Sequence, residues 1–215
     1  MPWQHPTGTA PESVAILGLG PSKSDFFDCQ IPHNFTPPWQ EVWGINVGIR
    51  YQHDLLFCMD NLEKELSRYT SDQYPDQLRA SAKPIITSET HPDVPASYEY
   101  PLLEVLSFWK TWQCLPRSSL PSVLAYAGFI GVKRLFLFGV DYSWNDGRRE
   151  AGALWTAFWL GRLAEHGVQI NITESSSMMD ASARMTDPDY VQFYGYSVPP
   201  PIHRMYKAKP EQRPE

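Results

Sequence analysis

The chain has 215 residues, 42% of them hydrophobic, and its 18 Lys and Arg against 24 Asp and Glu give a formal net charge of −6. This length suffices for one domain with a sizeable core. The 8 Trp, 11 Tyr and 10 Phe exclude a disordered chain. The acidic balance argues against a protein that coats nucleic acid non-specifically.

Cysteine usage and apolar stretches bear on the cellular compartment. Cys29, Cys58 and Cys114 form no CxxC pair, which argues against a disulfide framework and favours reduced thiols in a cytoplasm. The most apolar stretch, 123–140, is interrupted by Lys133 and Arg134, and the N-terminus lacks the basic start and apolar run of a signal peptide. We therefore predict a cytoplasmic protein with no membrane partner, and we leave its oligomeric state open.

Short apolar runs alternate with helix-like segments along the chain. Runs of this kind, bounded by polar residues or glycine, are typical of strands that are buried on both faces. The runs are 13–17, 41–45, 54–59, 84–87, 134–140 and 168–172, and the helix candidates are 62–69, 119–129 and 150–166. The alternation predicts an α/β fold, a mostly parallel twisted sheet flanked by helices in a Rossmann-like single domain.

The ends of the chain differ in composition from its middle. We predict an N-terminal extension over 1–12, the Rossmann-like domain over 13–197 and a Pro-rich tail over 198–215. The segment 88–101 has no periodicity, and we predict a loop over a site or an excursion from the fold.

Small and polar residues follow the predicted strands at the points where they end. Ligands of open parallel sheets bind outside the carboxyl ends of the strands, so we expect these residues to converge on one crevice. They are Gly18, Leu19, Gly20, Pro21 and Ser22 after the first run, Asn46 after the second, Asp60 and Asn61 after the third, Ser118 and Ser119 at the start of a helix, and Asp141 after the fifth run.

Each candidate has a functional and a structural interpretation. Gly18 and Gly20 allow a tight turn whose N–H groups favour a phosphate, or they form a plain strand–helix turn. Asn46 offers an amide donor and acceptor to a base or ribose, or it is a turn residue. Ser118 and Ser119 lend hydroxyl groups to a ligand, or they cap their helix.

The two aspartates carry the candidate chemistry. Asp60 is a candidate general base or ligand of a divalent cation, and its structural alternative is to cap the helix that begins near Leu62. Asp141 has the same functional and structural alternatives. Together they are the candidate ligands of Mg²⁺ or Mn²⁺.

Three stretches carry a resemblance to a known family. These stretches are AILGLGPSKSDFFD, VWGINVGIRYQHDLLFCMDN and RSSLPSVLAYAGFIGVKRLFLFGVDYS, and with the ending VQINITESSSM they span about 13–180. They resemble Rossmann-like transferases that include the bacterial single-domain sialyltransferases, and they are also similar to proteins related to archaeal hydroxymethylpterin diphosphokinase. The resemblance implies nucleotide-linked group transfer.

The resemblance also implies roles for single residues. Gly18, Gly20, Pro21 and Ser22 match the sialyltransferase turn, Asn46 matches a nucleotide-contacting Asn, Ser118 and Ser119 match a cytidine-contacting Thr-Ser, and Asp141 matches the Asp of the final motif. Leu19 and Asp60 stand where the sialyltransferases have Asn. The stretch 173–181, which corresponds to their catalytic lid, contains no His, and His203 is a candidate substitute.

We therefore hypothesise a glycosyltransferase-like enzyme with a nucleotide-sugar donor. Asp60, with Asp141, would deprotonate the acceptor hydroxyl or hold a divalent ion. The residues that would bind the donor are Gly18, Gly20, Pro21, Ser22, Asn46, Asn61, Ser118 and Ser119. The acceptor is unknown. A compact chain of this kind suits a viral enzyme of the host cytoplasm that modifies DNA.

Two other functions stay open. One is a diphosphokinase that moves pyrophosphate from ATP to a small alcohol, with magnesium on Asp60 and Asp141. The other is a non-catalytic protein that binds a nucleotide in the same crevice.

Overall fold

The structure, a computed structural model, describes residues 3–31, 34–67, 73–111, 118–142 and 147–178. The predicted tail over 198–215, the end of the predicted domain and His203 lie outside these residues. No helix within the described ranges is long and apolar enough to cross a membrane.

A sheet of seven parallel strands forms the centre of the protein. Its spatial order is β5-β4-β3-β2-β1-β6-β7, and every neighbouring pair is parallel. The strands are β1 (Ser13–Leu17), β2 (Glu41–Ile45), β3 (Leu55–Cys58), β4 (Ile85–Thr87), β5 (Ser97–Glu99), β6 (Arg134–Phe138) and β7 (Gln169–Ile172). The α/β, Rossmann-like fold predicted from the sequence is therefore confirmed.

Helices cover the sheet. They are α1 (Ser24–Asp28), α2 (Leu62–Ser67), α3 (Tyr74–Arg79), α4 (Leu102–Trp109), α5 (Ser119–Phe129) and α6 (Gly147–Glu165), with short 3₁₀ helices at Pro21–Lys23 and Asn46–Arg50. Parallel neighbours need crossover connections, and helices such as α6, between the paired strands β6 and β7, supply them.

The segment 88–101, for which the sequence predicted a loop over a site or an excursion from the fold, contains a strand of the sheet. This strand is β5, which pairs with β4 through Ile85 and Ser97 and forms one edge of the sheet. Tyr98 and Glu99 of this strand are exposed, so the strand lacks the apolar run from which the other strands were predicted. The short helices α1, α3 and α4 were likewise not predicted.

Helix α5 is the centre of the larger core. Every residue from Leu120 to Gly128 is buried, as expected for a helix enclosed between the sheet and two further helices. Tyr126 makes ring contacts with Trp43 of β2 and Phe57 of β3. A smaller core on the opposite face packs Phe26 of α1 against the strands.

Residues 3–12, the described part of the predicted N-terminal extension, pack on the domain. His5 is buried, and its ring nitrogens lie 2.7 Å from the Tyr126 hydroxyl and 3.2 Å from a carboxylate oxygen of Glu41. Trp3 donates to the same hydroxyl, and Thr7 donates to Glu41. The segment is thus attached at the amino end of β2 through one tyrosine and one glutamate.

Substitution of Gly128 tests the packing of α5. A Cβ at Gly128 would lie 2.2 Å from Cζ2 of Trp109, so Gly128→Ala should overpack the core and lower the free energy of unfolding by about 1–3 kcal/mol. Gly161→Ala in α6, where a Cβ would meet nothing within 4 Å, is the control and should gain up to about 1 kcal/mol from helix propensity. Urea unfolding measures the free energy of unfolding of both variants. Equal changes in the two would show that helix propensity, and not packing against Trp109, determines the effect at Gly128.

The stability of the N-terminal attachment should depend on pH. Burial raises the pKa of Glu41, but hydrogen bonds with His5, Thr7 and Trp43 outweigh burial and hold that pKa below the ordinary glutamate value. A carboxyl with a lowered pKa stabilises the fold above its unfolded pKa, and this contribution is lost as pH falls through the folded pKa.

Glu41→Gln should therefore destabilise the protein at neutral pH and flatten its loss of stability below about pH 4.5. Unfolding free energies between pH 7 and pH 3 measure both effects. Glu104→Gln, at an exposed position of α4, is the matched control and should keep the wild-type slope. An unchanged slope in Glu41→Gln would remove this residue from the acid response.

Candidate functional site

The strand order reverses between β1 and β6. From β1 the chain adds β2 to β5 on one side, and it then returns to place β6 on the other side of β1. In open α/β sheets this switch point leaves a crevice at the carboxyl ends of the strands, where ligands bind. Two cavities lie in this region.

The first cavity, of about 340 Å³, lies at the ends of β1 and β6. Aliphatic side chains, glycines and one tyrosine form most of its wall: Gly18, Leu19, Gly20, Ile45, Leu120, Gly139, Val140, Asp141 and Tyr142. The Tyr142 hydroxyl lies 2.8 Å from Oγ1 of Thr156, and burial raises the pKa of Tyr142 above its ordinary value. This cavity is mainly apolar.

The second cavity, of about 280 Å³, is more polar. Its wall consists of Met59, Asp60, Ser88, Tyr100, Leu102, Ser118, Ser119 and Ser122. The consecutive residues Ser119 and Leu120 each line one cavity, so the two cavities lie side by side at the start of α5. The structure therefore brings the predicted residues of four segments to one region of the sheet edge.

The carboxylate of Asp141 ties together three chain segments. Oδ2 accepts hydrogen bonds from the backbone N–H and the hydroxyl of Ser22, at 2.9 and 2.7 Å. Oδ1 accepts from the N–H and the hydroxyl of Ser177, at 2.9 and 3.3 Å. Two donors on each oxygen occupy all the lone pairs of the carboxylate. A general base or a metal ligand needs a carboxylate oxygen that can take a proton or bind the ion. The four hydrogen bonds to Asp141 therefore do not favour either role.

The glycines of the first turn face protein rather than open space. Gly18 and Gly20 donate their N–H groups to the carbonyls of Phe138 and Gly139, at 2.7 and 2.8 Å. A Cβ at Gly18 would lie 2.4 Å from the carbonyl oxygen of Gly139, and one at Gly20 would lie 2.2 Å from Oδ2 of Asp141. These glycines allow two strand ends to touch, and their N–H groups do not form the phosphate cradle that the sequence suggested.

The remaining residues of this turn take structural positions. Pro21 is exposed and begins the 3₁₀ helix Pro21–Lys23, where its lack of an N–H costs nothing. Ser22 is buried, and its hydroxyl also accepts a hydrogen bond from the N–H of Gly139 at 3.1 Å. Ser22 therefore joins the ends of β1 and β6.

The segment after β7 completes this network. Thr173 and Ser175 donate to the carboxylate of Asp25 in α1, and Ser176 donates to the carbonyl of Val140. Burial raises the pKa of Asp25, but the hydrogen bonds from Thr173 and Ser175 outweigh burial and lower it. Sequence reasoning did not predict these contacts, and the serine run after the last strand was their only signal.

Asn46 is hydrogen-bonded to Asp60, which lines the second cavity. Nδ2 of Asn46 donates to Oδ2 of Asp60 at 2.8 Å, and no hydrogen bond from the described residues reaches Oδ1 of Asp60. Oδ1 of Asn46 is buried without a described partner. Asn46 has a φ of 48°, a left-handed conformation that asparagine adopts more readily than most residues. Among the described residues, neither Oδ1 of Asp60 nor the buried Oδ1 of Asn46 therefore has a hydrogen-bond partner.

The structure shows which of the candidate residues near the starts of α2 and α5 cap these helices. Oδ1 of Asn61 accepts from the N–H of Lys64 at 3.0 Å, so Asn61 caps α2 and Asp60 does not. Ser118 stands at the N-cap position of α5, but its side chain makes no capping hydrogen bond. The hydroxyls of Ser118 and Ser119 therefore do not perform the capping role that was their structural alternative.

The donor set does not fit a divalent metal ion. Within the described ranges no group of three or more His, Cys, Asp or Glu residues lies close enough together to hold one. Asp60 and Asp141 line different cavities, and the oxygens of Asp141 are occupied by four hydrogen bonds. A metal shared by the two aspartates, which the sequence suggested, is thus not supported by their geometry.

Sheet order, flanking helices and cavities at the switch point define an α/β protein of the Rossmann-like class. The chain is similar to solved structures of a bacterial sialyltransferase. One is CstII from Campylobacter jejuni with cytidine-5′-monophosphate, with 16% identity and a TM-score of 0.48 over 80% of this chain and 84% of that chain.

A second structure of this sialyltransferase, with CMP-3FNeuAc, has 16% identity and a TM-score of 0.44 over 74% of this chain and 78% of that one. A third, with a trisaccharide acceptor and CMP, has 15% identity and a TM-score of 0.43 over 74% and 80%. No protein-family model and no curated protein matches the sequence. The likeness is one of fold.

The Asp141 network can be tested through Ser22. Ser22→Ala removes a hydroxyl that donates to a carboxylate and accepts from Gly139, and it should lower the free energy of unfolding by about 2 kcal/mol. Ser107→Ala, on the exposed side of α4, is the control and should stay within about 0.5 kcal/mol of wild type. If Ser22→Ala were as stable as this control, the network would not hold the turn.

Proposed function

We propose that this chain is a glycosyltransferase-like enzyme that moves a sugar from a nucleotide-sugar donor to an acceptor hydroxyl. The observation that supports this proposal is the pair of side-by-side cavities at the switch point, one apolar and one lined by hydroxyls and a carboxylate. A nucleotide sugar has the same division, since its base offers flat apolar faces and its sugar offers hydroxyls.

In this proposal the nucleobase occupies the first cavity. Leu19, Ile45, Leu120 and Val140 contact its faces, and burial of apolar area supplies the affinity. A charged phosphate is disfavoured there, because burying a charge without a partner is costly and the nearby N–H groups of Gly18 and Gly20 already have acceptors.

The sugar occupies the second cavity, and the phosphates lie near the start of α5. The first N–H groups of a helix have no partner within it and attract anions, and the exposed Ser118 hydroxyl lies beside them. Asn46 supports this side of the site by donating a hydrogen bond to Asp60, which lines the second cavity. Asn61 supports this side of the site indirectly, by capping α2 next to Asp60.

Asp60 acts as the general base. Asn46 donates to Oδ2 and thereby orients the carboxylate, so Oδ1 takes the proton of the acceptor hydroxyl. The acceptor oxygen then forms a bond to the anomeric carbon, while the bond between that carbon and the phosphate oxygen breaks. The electron pair of the broken bond leaves with the nucleotide. Asp141, Ser22 and Gly20 act as positioning residues that hold the first cavity in shape.

The alternatives differ in what they require of the site. A diphosphokinase would need magnesium between the two aspartates, and their separate cavities do not favour it. A non-catalytic nucleotide-binding protein would use the same cavities. Binding of a nucleotide without formation of product with any acceptor would identify it. DNA as the acceptor stays a prediction.

Substitution of Asp60 tests the proposed base. Asp60→Asn keeps the size of the side chain but removes the proton acceptor, so we expect transfer to fall by at least about 100-fold while a nucleotide sugar still raises the melting temperature. Asp93→Asn, at an exposed aspartate outside both cavities, is the matched control and should transfer sugar at the wild-type rate.

Nucleotide release from UDP-, GDP-, CMP- and TDP-sugars, with pooled acceptor hydroxyls, measures transfer. Full turnover by Asp60→Asn would contradict the role of this aspartate. A panel in which no nucleotide sugar changes the melting temperature of the wild-type protein would contradict the proposed function itself.

A further inference from the structure

We infer that the transferred sugar is neutral, and that Asp60 excludes donors whose sugar carries a carboxylate. This inference rests on the proposed function, because it assumes that the second cavity holds the sugar. It names the class of donor through the charge and the hydrogen-bonding groups of that cavity.

Among the described residues that line the second cavity, Asp60 alone carries a formal charge at neutral pH. The other lining residues are Met59, Ser88, Tyr100, Leu102, Ser118, Ser119 and Ser122, so no Lys, Arg or His of the described chain lines this cavity. Tyr100 supplies no charge, because burial raises the pKa of its hydroxyl far above the ordinary value. Among the described lining residues, an acidic sugar would therefore meet a carboxylate and no cation.

The free hydroxyls of the cavity suit a neutral sugar. Ser122 donates to the carbonyl of Ser118, and Tyr100 donates to the carbonyl of Ser122, so these two hydroxyls are already used as donors. The hydroxyls of Ser88, Ser118 and Ser119 make no hydrogen bond with the described residues. Three hydroxyls and one carboxylate oxygen are partners for the hydroxyls of a hexose, which both donate and accept.

The start of α5 does not offset this repulsion. Its partial positive charge would stabilise an anion, but the phosphates of the donor already take that position in the proposed arrangement. Both a neutral and an acidic nucleotide sugar carry those phosphates. The additional carboxylate of the acidic sugar thus faces Asp60, and like charges in a partly enclosed site repel each other. Sialic acids, which carry a carboxylate, belong to this excluded class.

Pairs of donors that differ by one carboxylate provide the test. UDP-glucose and UDP-glucuronate form one pair, GDP-mannose and GDP-mannuronate form another, and CMP-sialic acid is a further acidic probe. Titration calorimetry gives each Kd for the wild-type protein, Asp60→Asn and the control Asp93→Asn. Circular dichroism and melting temperature establish that each variant is folded.

We expect the wild-type protein and Asp93→Asn to bind the neutral member of a pair at least about tenfold more tightly than the acidic member. In Asp60→Asn the ratio should fall to within about threefold, because the amide carries no charge. The ratio should fall because the acidic donor binds more tightly to the variant. Loss of packing at Asp60 would instead weaken the binding of both donors.

Three outcomes overturn it. Equal binding of both members by the wild-type protein shows that the cavity does not select by charge, and it leaves the proposed function intact. A neutral preference that persists in Asp60→Asn removes Asp60 as its cause. Absence of binding by every nucleotide sugar overturns the proposed function and this inference with it.

Discussion

The carboxylate of Asp141 is the interaction on which the geometry of the site depends. Four hydrogen bonds join it to Ser22 and Ser177, which lie 119 and 36 residues away along the chain. Hydrogen bonds to a charged group are stronger than those between neutral groups, and here they hold three loops that would otherwise be separate. Gly20 must be a glycine because the carboxylate occupies the place of its Cβ.

This arrangement explains why the two cavities differ chemically. The polar groups at the ends of β1 and β6 are used within the protein, so the wall that remains for a ligand is aliphatic. At the end of β3 and the start of α5 the reverse holds, since Asp60 keeps one oxygen without a described partner and Ser118 does not cap its helix. One cavity thus offers contact area, and the other offers hydrogen bonds.

Much of the fold could be predicted from the sequence. The bounds of β1, β2 and α5 agree with prediction, because strands and helices that are buried on all sides give continuous apolar runs with clear ends. β5 could not be predicted, since it has three residues and two of them are exposed. The short α1, α3 and α4 were missed because five to eight residues give little helical periodicity.

The site was predictable in position but not in detail. Convergence of strand ends follows from a parallel sheet, so the segments that line the cavities could be named. The hydrogen-bond partners could not be predicted from the sequence. Asp60 and Asn61 are equally good capping residues, and only the hydrogen bond from the N–H of Lys64 to Asn61 shows which of them caps α2. The bond between Ser22 and Asp141 joins residues far apart in the chain and has no local signal.

The short edges of the sheet have a consequence for how the protein behaves in a crowded solution. An open edge strand offers unpaired backbone groups on which another chain can add a strand, and proteins limit this hazard with short or polar edges. β5 offers only three residues, with Glu99 exposed, and β7 offers four, with Gln169 and Asn171 exposed. Edge-to-edge association would therefore gain few backbone hydrogen bonds and would have to desolvate polar side chains, which helps to keep separate copies of this chain apart.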